Sequence, residues 1–297
     1  MKNTMYRIFA LFLAGLLLCV GVAFLLPRIS GGSDIVADSE GPEQPPPEEP
    51  ENDANETEEE LPEDEAPPAD APADEPEPEP EPVIETAPYV LAKVDSLQVR
   101  SGPGTGHTSL GHINAGDMVT LVGRSGDWYI TRYKNRTAYI SAAADYTELR
   151  ELEKHYSQAV EDVIEEGLRL LGFPYVYGAT RYHDGSGRKL IGFDATKFDC
   201  SSLVQYIFHR GAAINLHMTT RTQVKQGSYV PRSKIERGDL IFFTNAQRYN
   251  KTGVERIGHV ALYLGDNYIL HTASDYAVIE QISAQRWRYY IETRRLF

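Results

Sequence analysis

Phe198-Asp199-Cys200-Ser201-Ser202-Leu203 places one of the chain's two cysteines at the start of a helical pattern. From Cys200 to Arg210 the apolar residues Leu203, Val204, Ile207 and Phe208 recur at helical spacing, which predicts a helix with Asp199 as N-cap and Gly211 as C-cap. A thiol in the first turn meets unpaired backbone N–H groups, whose partial positive charge favours the thiolate and lowers a cysteine pKa from its free value of about 8.5. The stretch alone leaves two readings open, a nucleophile or a buried structural thiol, since free cysteine is among the most buried residue types.

The charge around this stretch is unevenly spread. Residues 31–87 hold 22 Asp and Glu, 13 prolines and no Lys or Arg, so they cannot bury a core and read as a disordered, extended acidic spacer. Residues 88–297 carry 26 basic against 21 acidic side chains, a mildly cationic balance suited to an anionic polymer such as a cell wall. No basic run interleaved with aromatics points to nucleic acid, and no nucleic-acid partner is expected.

Ile8 to Leu26 is an uncharged apolar run of 19 residues, preceded by Lys2 and Arg7 and closed by Pro27-Arg28. It is long enough to cross a bilayer, so residues 1–30 read as a single-pass membrane anchor, with a cleaved signal peptide as the rival. The flanking positive charges put the N-terminus in the cytoplasm and the remaining chain in the cell envelope, or outside the cell altogether if the run is cleaved. With Cys19 in the span and Cys200 in the folded part, no intramolecular disulfide is expected.

From Tyr89 to about Tyr146 the pattern changes to short alternating runs, Leu97 to Arg100, Met118 to Val122, Trp128 to Thr131 and Ala138 to Ile140, separated by turn signals such as Gly102-Pro103-Gly104. This is the pattern of a small all-β barrel, assigned to residues 88–146. Leu97-Gln98-Val99-Arg100-Ser101-Gly102-Pro103, Gly116-Asp117, Gly126-Asp127-Trp128 and Ala138-Tyr139-Ile140 resemble the bacterial SH3-like domain, a frequent companion of cell-wall enzymes. Glu148 to His155 reads as helical, within a connector at 147–164. Val160, Val163, Ile164, Gly167, Leu168 and Leu171 then form the stripe of an amphipathic helix that enters an α+β domain at 165–297.

Within that domain Gly258 to Leu264 and Tyr268 to His271 read as a hairpin closed by a three-residue loop, Gly265-Asp266-Asn267. In that register Ala261 opposes His271 and His259 shares its face, close enough diagonally for the two imidazoles to meet. A nucleophilic cysteine needs a base and a group that orients the base, and this hairpin supplies both.

Five stretches in order resemble the NlpC family of cell-wall cysteine peptidases: Gly172 to Gly178, Phe198 to Ser201, Gly238 to Phe243, Gly258 to Gly265 and Tyr268 to Ala273. The resemblance implies a rearranged papain-like α+β fold, with Cys200 as nucleophile, His259 as general base and His271 as third catalytic member. It also implies that Tyr177 approaches the nucleophile, and that Asp199 and Ser201 meet the substrate peptide and its free L-Ala amine. Thr219 and Thr220 remain substrate-binding candidates, although Met218 stands where the family has Arg. Ser202 replaces a frequent Gly, and Arg181 to Lys197 is longer and more basic than the motif requires, as expected of a solvated loop.

The implied activity is hydrolysis of the bond between gamma-D-glutamyl and a diamino acid, meso-diaminopimelate or L-Lys, in peptidoglycan stem peptides. No cofactor or metal is expected. The rivals are a peptidoglycan-binding module without catalysis, an amidase or acyltransferase on the same fold, and a zinc site built from Cys200, His259 and His271.

Overall fold

A computed structural model describes residues 84–272 and 275–297. The expected membrane anchor, and the acidic spacer up to residue 83, lie outside the described residues. The described residues are mixed α/β, and two sheets organise them.

The barrel region supplies β1 (Thr86–Ala92), β2 (Leu97–Arg100), β3 (Ser109–Ile113), β4 (Met118–Thr120), β5 (Gly123–Ser125), β6 (Trp128–Tyr133), β7 (Arg136–Ser141) and β8 (Thr147–Glu153). Helices α1 (Gln158–Leu168), α2 (Cys200–Ala212) and α3 (Thr220–Gln223) follow. Then come β9 (Ser228–Val230), β10 (Leu240–Phe243), β11 (His259–Gly265), β12 (Tyr268–Thr272), β13 (Ala277–Gln281), the short α4 (Ala284–Arg288) and β14 (Tyr290–Arg295).

A five-stranded sheet runs β3-β2-β7-β6-β5, and a nine-stranded sheet runs β8-β1-β4-β13-β12-β11-β10-β14-β9. The second sheet crosses the domain boundary, because Ile279 of β13 bridges Met118 of β4. Turn Lys134-Asn135, between β6 and β7, donates its backbone N–H groups to Leu171 and Arg169 just after α1, at 2.8 and 2.7 Å. Gly172 is in the left-handed region beside it, and a Cβ there would collide with the Tyr133 ring.

Glu148 to His155, expected to be helical, is instead mostly strand: β8 pairs with β1 over seven residues, from Thr147↔Ala92 to Glu153↔Thr86. Leu149 and Leu152 have helical spacing, but an isolated segment of this length gains little from helix formation, whereas the open edge of β1 offers a full ladder of hydrogen bonds.

Helix α2 starts as its sequence dictates. Asp199 accepts from Ser202 N–H at 2.8 Å, and Ser202 Oγ accepts from Asp199 N–H at 2.9 Å, so Ser202 closes a capping box. Leu203, Val204, Ile207 and Phe208 are fully buried, each stabilising by about 1.5–3 kcal/mol relative to exposure. Gly211 is not the C-cap: the helix runs to Ala212 and Ala213 takes the left-handed position. Gly211 lies inside the helix, where any Cβ would strike the backbone of Val163, so it permits close approach of α1 to α2.

Candidate active site

The hairpin β11–β12 reaches the expected register by an unexpected route. Its turn has two residues, Asp266 and Asn267, both at positive φ (46° and 66°), with Gly265 paired to Tyr268. A bulge at Leu264 then adds one residue to β11, so Leu262 pairs with Leu270 and Ala261 falls opposite His271. The bulge cancels the face reversal that a two-residue turn alone would impose, and His259 and His271 share a face.

His259 Nε2 lies 2.8 Å from His271 Nδ1, and His271 Nε2 lies 3.0 Å from Glu280 Oε1. Glu280 comes from β13, where Ile269↔Glu280 and His271↔Val278 set it diagonally to His271. Its Oε1 also accepts from Arg286 Nη2 of α4 at 2.6 Å. Burial alone would raise the Glu280 pKa, but the His271 hydrogen bond and the Arg286 charge outweigh it and hold the carboxyl below its ordinary value. Burial lowers the His271 pKa, and burial, His271 and Arg286 push that of His259 well below the usual histidine value. Both rings are therefore neutral in the resting site. The ionised carboxylate then fixes the tautomers: His271 Nε2–H donates to Glu280, His271 Nδ1 accepts, and His259 Nε2–H donates to it. The ring nitrogen left to His259 for outside chemistry is the basic Nδ1.

Cys200 is 8% exposed at the first turn of α2. Its thiol is not lowered as the helix terminus suggests: burial and then the Asp199 carboxylate push it up to about 12, against the backbone N–H groups of Val260 and Ser201 and the Arg181 guanidinium. Dehydration of the thiolate outweighs the helix end. The thiol and His259 are not hydrogen-bonded to each other. They line adjoining cavities of about 540 and 400 Å³ that share Tyr175, Asn245 and Gly258, so together they form one cleft.

The larger cavity is lined by all the other residues singled out from the sequence: Tyr177, Asp199, Ser201, Thr219 and Thr220. Tyr177 is 85% exposed there, whereas Tyr175 forms the wall common to both cavities. Gln223 Nε2 braces the site, donating to Ser201 O and to His217 O at 2.9 Å each.

Sequence reasoning missed Glu280, Arg286, Tyr175 and Arg181. The alternation in Ala277-Val278-Ile279-Glu280-Gln281 was the available signal for Glu280. The segment from Arg181 to Lys197 is also not simply solvated. Tyr182 meets Tyr206 and His209 edge-on at 5.3 and 5.0 Å, Phe193 stacks on Tyr206 at 5.2 Å, and His183 is fully buried.

Residues 172–295 match the NlpC/P60 family, and residues 95–147 match the bacterial SH3 domain. Residues 172–295 are an NlpC/P60 domain. Among its relatives, the gamma-DL-glutamyl hydrolase of Bacillus subtilis is 30% identical over 178 residues, covering 60% of this chain and 38% of that protein. The peptidoglycan DL-endopeptidase CwlO of Bacillus licheniformis is 33% identical over 132 residues, 44% of this chain and 26% of its own length. The chain thus spans well under half the length of these relatives. Among solved structures, RipD of Mycobacterium tuberculosis, described as a non-catalytic NlpC/p60 domain protein adapted to peptidoglycan binding, is 25% identical with a TM-score of 0.37, covering 48% of this chain and 100% of that one. The relatives of the NlpC/P60 domain include peptidoglycan endopeptidases and gamma-D-glutamyl-L-lysine dipeptidyl-peptidases.

Proposed function

We propose that this chain is a cysteine peptidase that hydrolyses peptidoglycan stem peptides at the gamma-D-glutamyl to diamino acid bond, with Cys200 as nucleophile, His259 as general base and His271 as its orienting partner. The observation that carries this reading is the line Glu280–His271–His259, which leaves Nδ1 of His259 as a proton acceptor on the cleft shared with Cys200.

In this reading the neutral thiol transfers its proton to His259 Nδ1 as Sγ attacks the gamma-carbonyl carbon of D-glutamate. The imidazolium charge is stabilised through His271 by Glu280. The N–H groups of Cys200 and Ser201, in the first turn of α2, are donors for the oxyanion. The carbon–nitrogen bond then breaks, the amine of the diamino acid leaves with the proton from His259, and a thioester remains on Cys200. Water attacks the thioester, gives its proton to the same histidine and releases the gamma-carboxylate, and the thiol is restored. The apolar run before the spacer would hold this domain outside the membrane, within reach of the wall.

The test is mass spectrometry of products from intact sacculi and defined stem tripeptides. The expected result is a single cut after gamma-D-glutamyl, lost in Cys200→Ala with circular dichroism unchanged. Full activity in a purified Cys200→Ala protein would remove the reading. The binding-only alternative draws on the thiol being pushed up to about 12; it requires the wild-type chain to sediment with sacculi and leave every stem peptide intact.

A further inference from the structure

The carboxylate expected to receive a substrate amine is already saturated. Asp199 Oδ1 accepts from Ser202 N–H at 2.8 Å and from Ser201 Oγ at 3.0 Å, while Oδ2 accepts from Gly178 N–H at 3.1 Å and pairs with Arg181 Nη1 at 2.8 Å. Four partners fill the roughly four lone-pair positions of a carboxylate. Arg181 also donates from Nη2 to Ser201 Oγ at 2.8 Å, from Nε to Met218 O at 2.6 Å, and from Nη1 to Ala179 O. Its side chain is 13% exposed and that of Asp199 is 6%, so this pair is shielded from water and resists exchange for an outside cation.

The rest of the cavity repeats the same sign. Arg181, Arg221, Arg248 and Lys251 line it against only Asp199 and Glu255, and Glu255 is itself engaged by Arg221 at 3.3 Å and Arg248 at 3.1 Å. A free ammonium entering here meets an excess of positive charge and no available carboxylate. No described residue of the SH3 domain lines either cavity, so the barrel does not close this end of the cleft. Arg181 is held by the same segment that packs Tyr182 and Phe193 onto α2, and its Nε donates to the backbone carbonyl of Met218.

We infer that Arg181 makes the cleft select acidic stem peptides whose N-terminal nitrogen is acylated, as in peptides still joined to glycan, over those that begin with a free ammonium. The inference rests on the proposed function, because it assigns one end of that same cleft. Arg181 acts here on specificity, through the neutralisation of Asp199 and the field of the cavity.

The test compares the tripeptide L-Ala-gamma-D-Glu-L-Lys or its meso-diaminopimelate counterpart with the N-acetylated form of each, using the full chain. Wild-type kcat/KM should favour the N-acetyl peptide by about tenfold or more, and Arg181→Gln should bring that ratio to near one or invert it. Arg181→Lys, which keeps a charge but loses the fork, should fall between. A role in folding or in thiol chemistry would change both peptides equally, so the ratio is the readout. Calorimetric titration of Cys200→Ala with the same peptides asks the question without hydrolysis. If nothing is cut but the N-acetyl form still binds preferentially, the proposed activity falls and this inference stands. Equal cutting of both peptides, preference for the free amine, a ratio unmoved in Arg181→Gln, or no binding of the N-acetyl peptide to Cys200→Ala would each overturn it.

Discussion

Two pairs of histidines in this domain have the same spacing and opposite surroundings. The His259–His271 and His183–His209 rings each stand 5.0 Å apart between centroids. In the first pair nitrogen meets nitrogen, and a carboxylate at the far end sets the direction of every proton. In the second, His183 Nδ1 accepts from Gly185 N–H and its Nε2 is buried without a partner, while His209 Nδ1 is occupied by Asn215. The comparison teaches that proximity of two imidazoles is not yet chemistry. What separates a relay from a packing contact is an anchored charge that polarises the pair and an open nitrogen on a cleft.

The sharpest way to break the comparison is to remove one ring from each pair. His259→Ala is expected to lower kcat/KM on a stem peptide by about 10⁴-fold or more, and His271→Ala by about 10²–10³-fold, whereas His209→Gln should change it less than about threefold. Comparable losses from both pairs, measured on folded variants, would abolish the distinction.

A smaller effect is expected at the anchoring carboxylate. Glu280→Gln keeps an acceptor oxygen but removes the charge, and should cost about ten- to a hundredfold in kcat/KM. Glu280 also supports protonation of His271, so its loss should move the acid limb of the pH–rate profile to lower pH. A rate loss with the limb unmoved would reduce Glu280 to a packing role.

The smallest effect is on stability. His183, His259 and His271 all have folded-state pKa values below the ordinary 6.5, so the unfolded chain binds more protons as pH falls. Their contribution is present above about pH 6.5 and is lost as pH falls through the folded values. Asp117 works the other way: burial raises it to about 6, so its contribution is present below about pH 3.8 and is lost as pH rises through about 6. Melting temperatures between pH 8 and 5 should show the balance, and His183→Phe should flatten the histidine part of the slope with hydrolysis unchanged. An unaltered slope would mean that His183 takes no part in it.

Much of the site was legible because its signals are local. Asp199 before Cys200 and the apolar spacing that follows mark a capped helix with few alternatives. The two histidines follow from one register, which survived a wrong turn because the Leu264 bulge compensated for it. The missing parts depend on tertiary contacts. Glu280 belongs to a strand whose partner β12 must be known before its face has meaning. Arg181 sits in a stretch that reads as basic and loop-like, and only packing on Tyr206 and His209 shows that its root is fixed. Glu148 to His155 went astray for the same reason, since the edge of β1 that captures it is invisible in local spacing. The thiol pKa erred in sign because a helix end can be read from sequence, while the dehydration that outweighs it cannot.

The Ile279–Met118 bridge has a bearing on the proton path. Glu280 is the residue after Ile279, so the strand that ends the relay is also the seam by which the barrel joins the larger sheet. Stripped of the barrel, β13 would become an edge, with open N–H and C=O groups and freedom to bend or take a foreign partner. A module that its sequence marks as a companion for the wall is, in this architecture, also the outer rail that keeps a half-buried carboxylate in line.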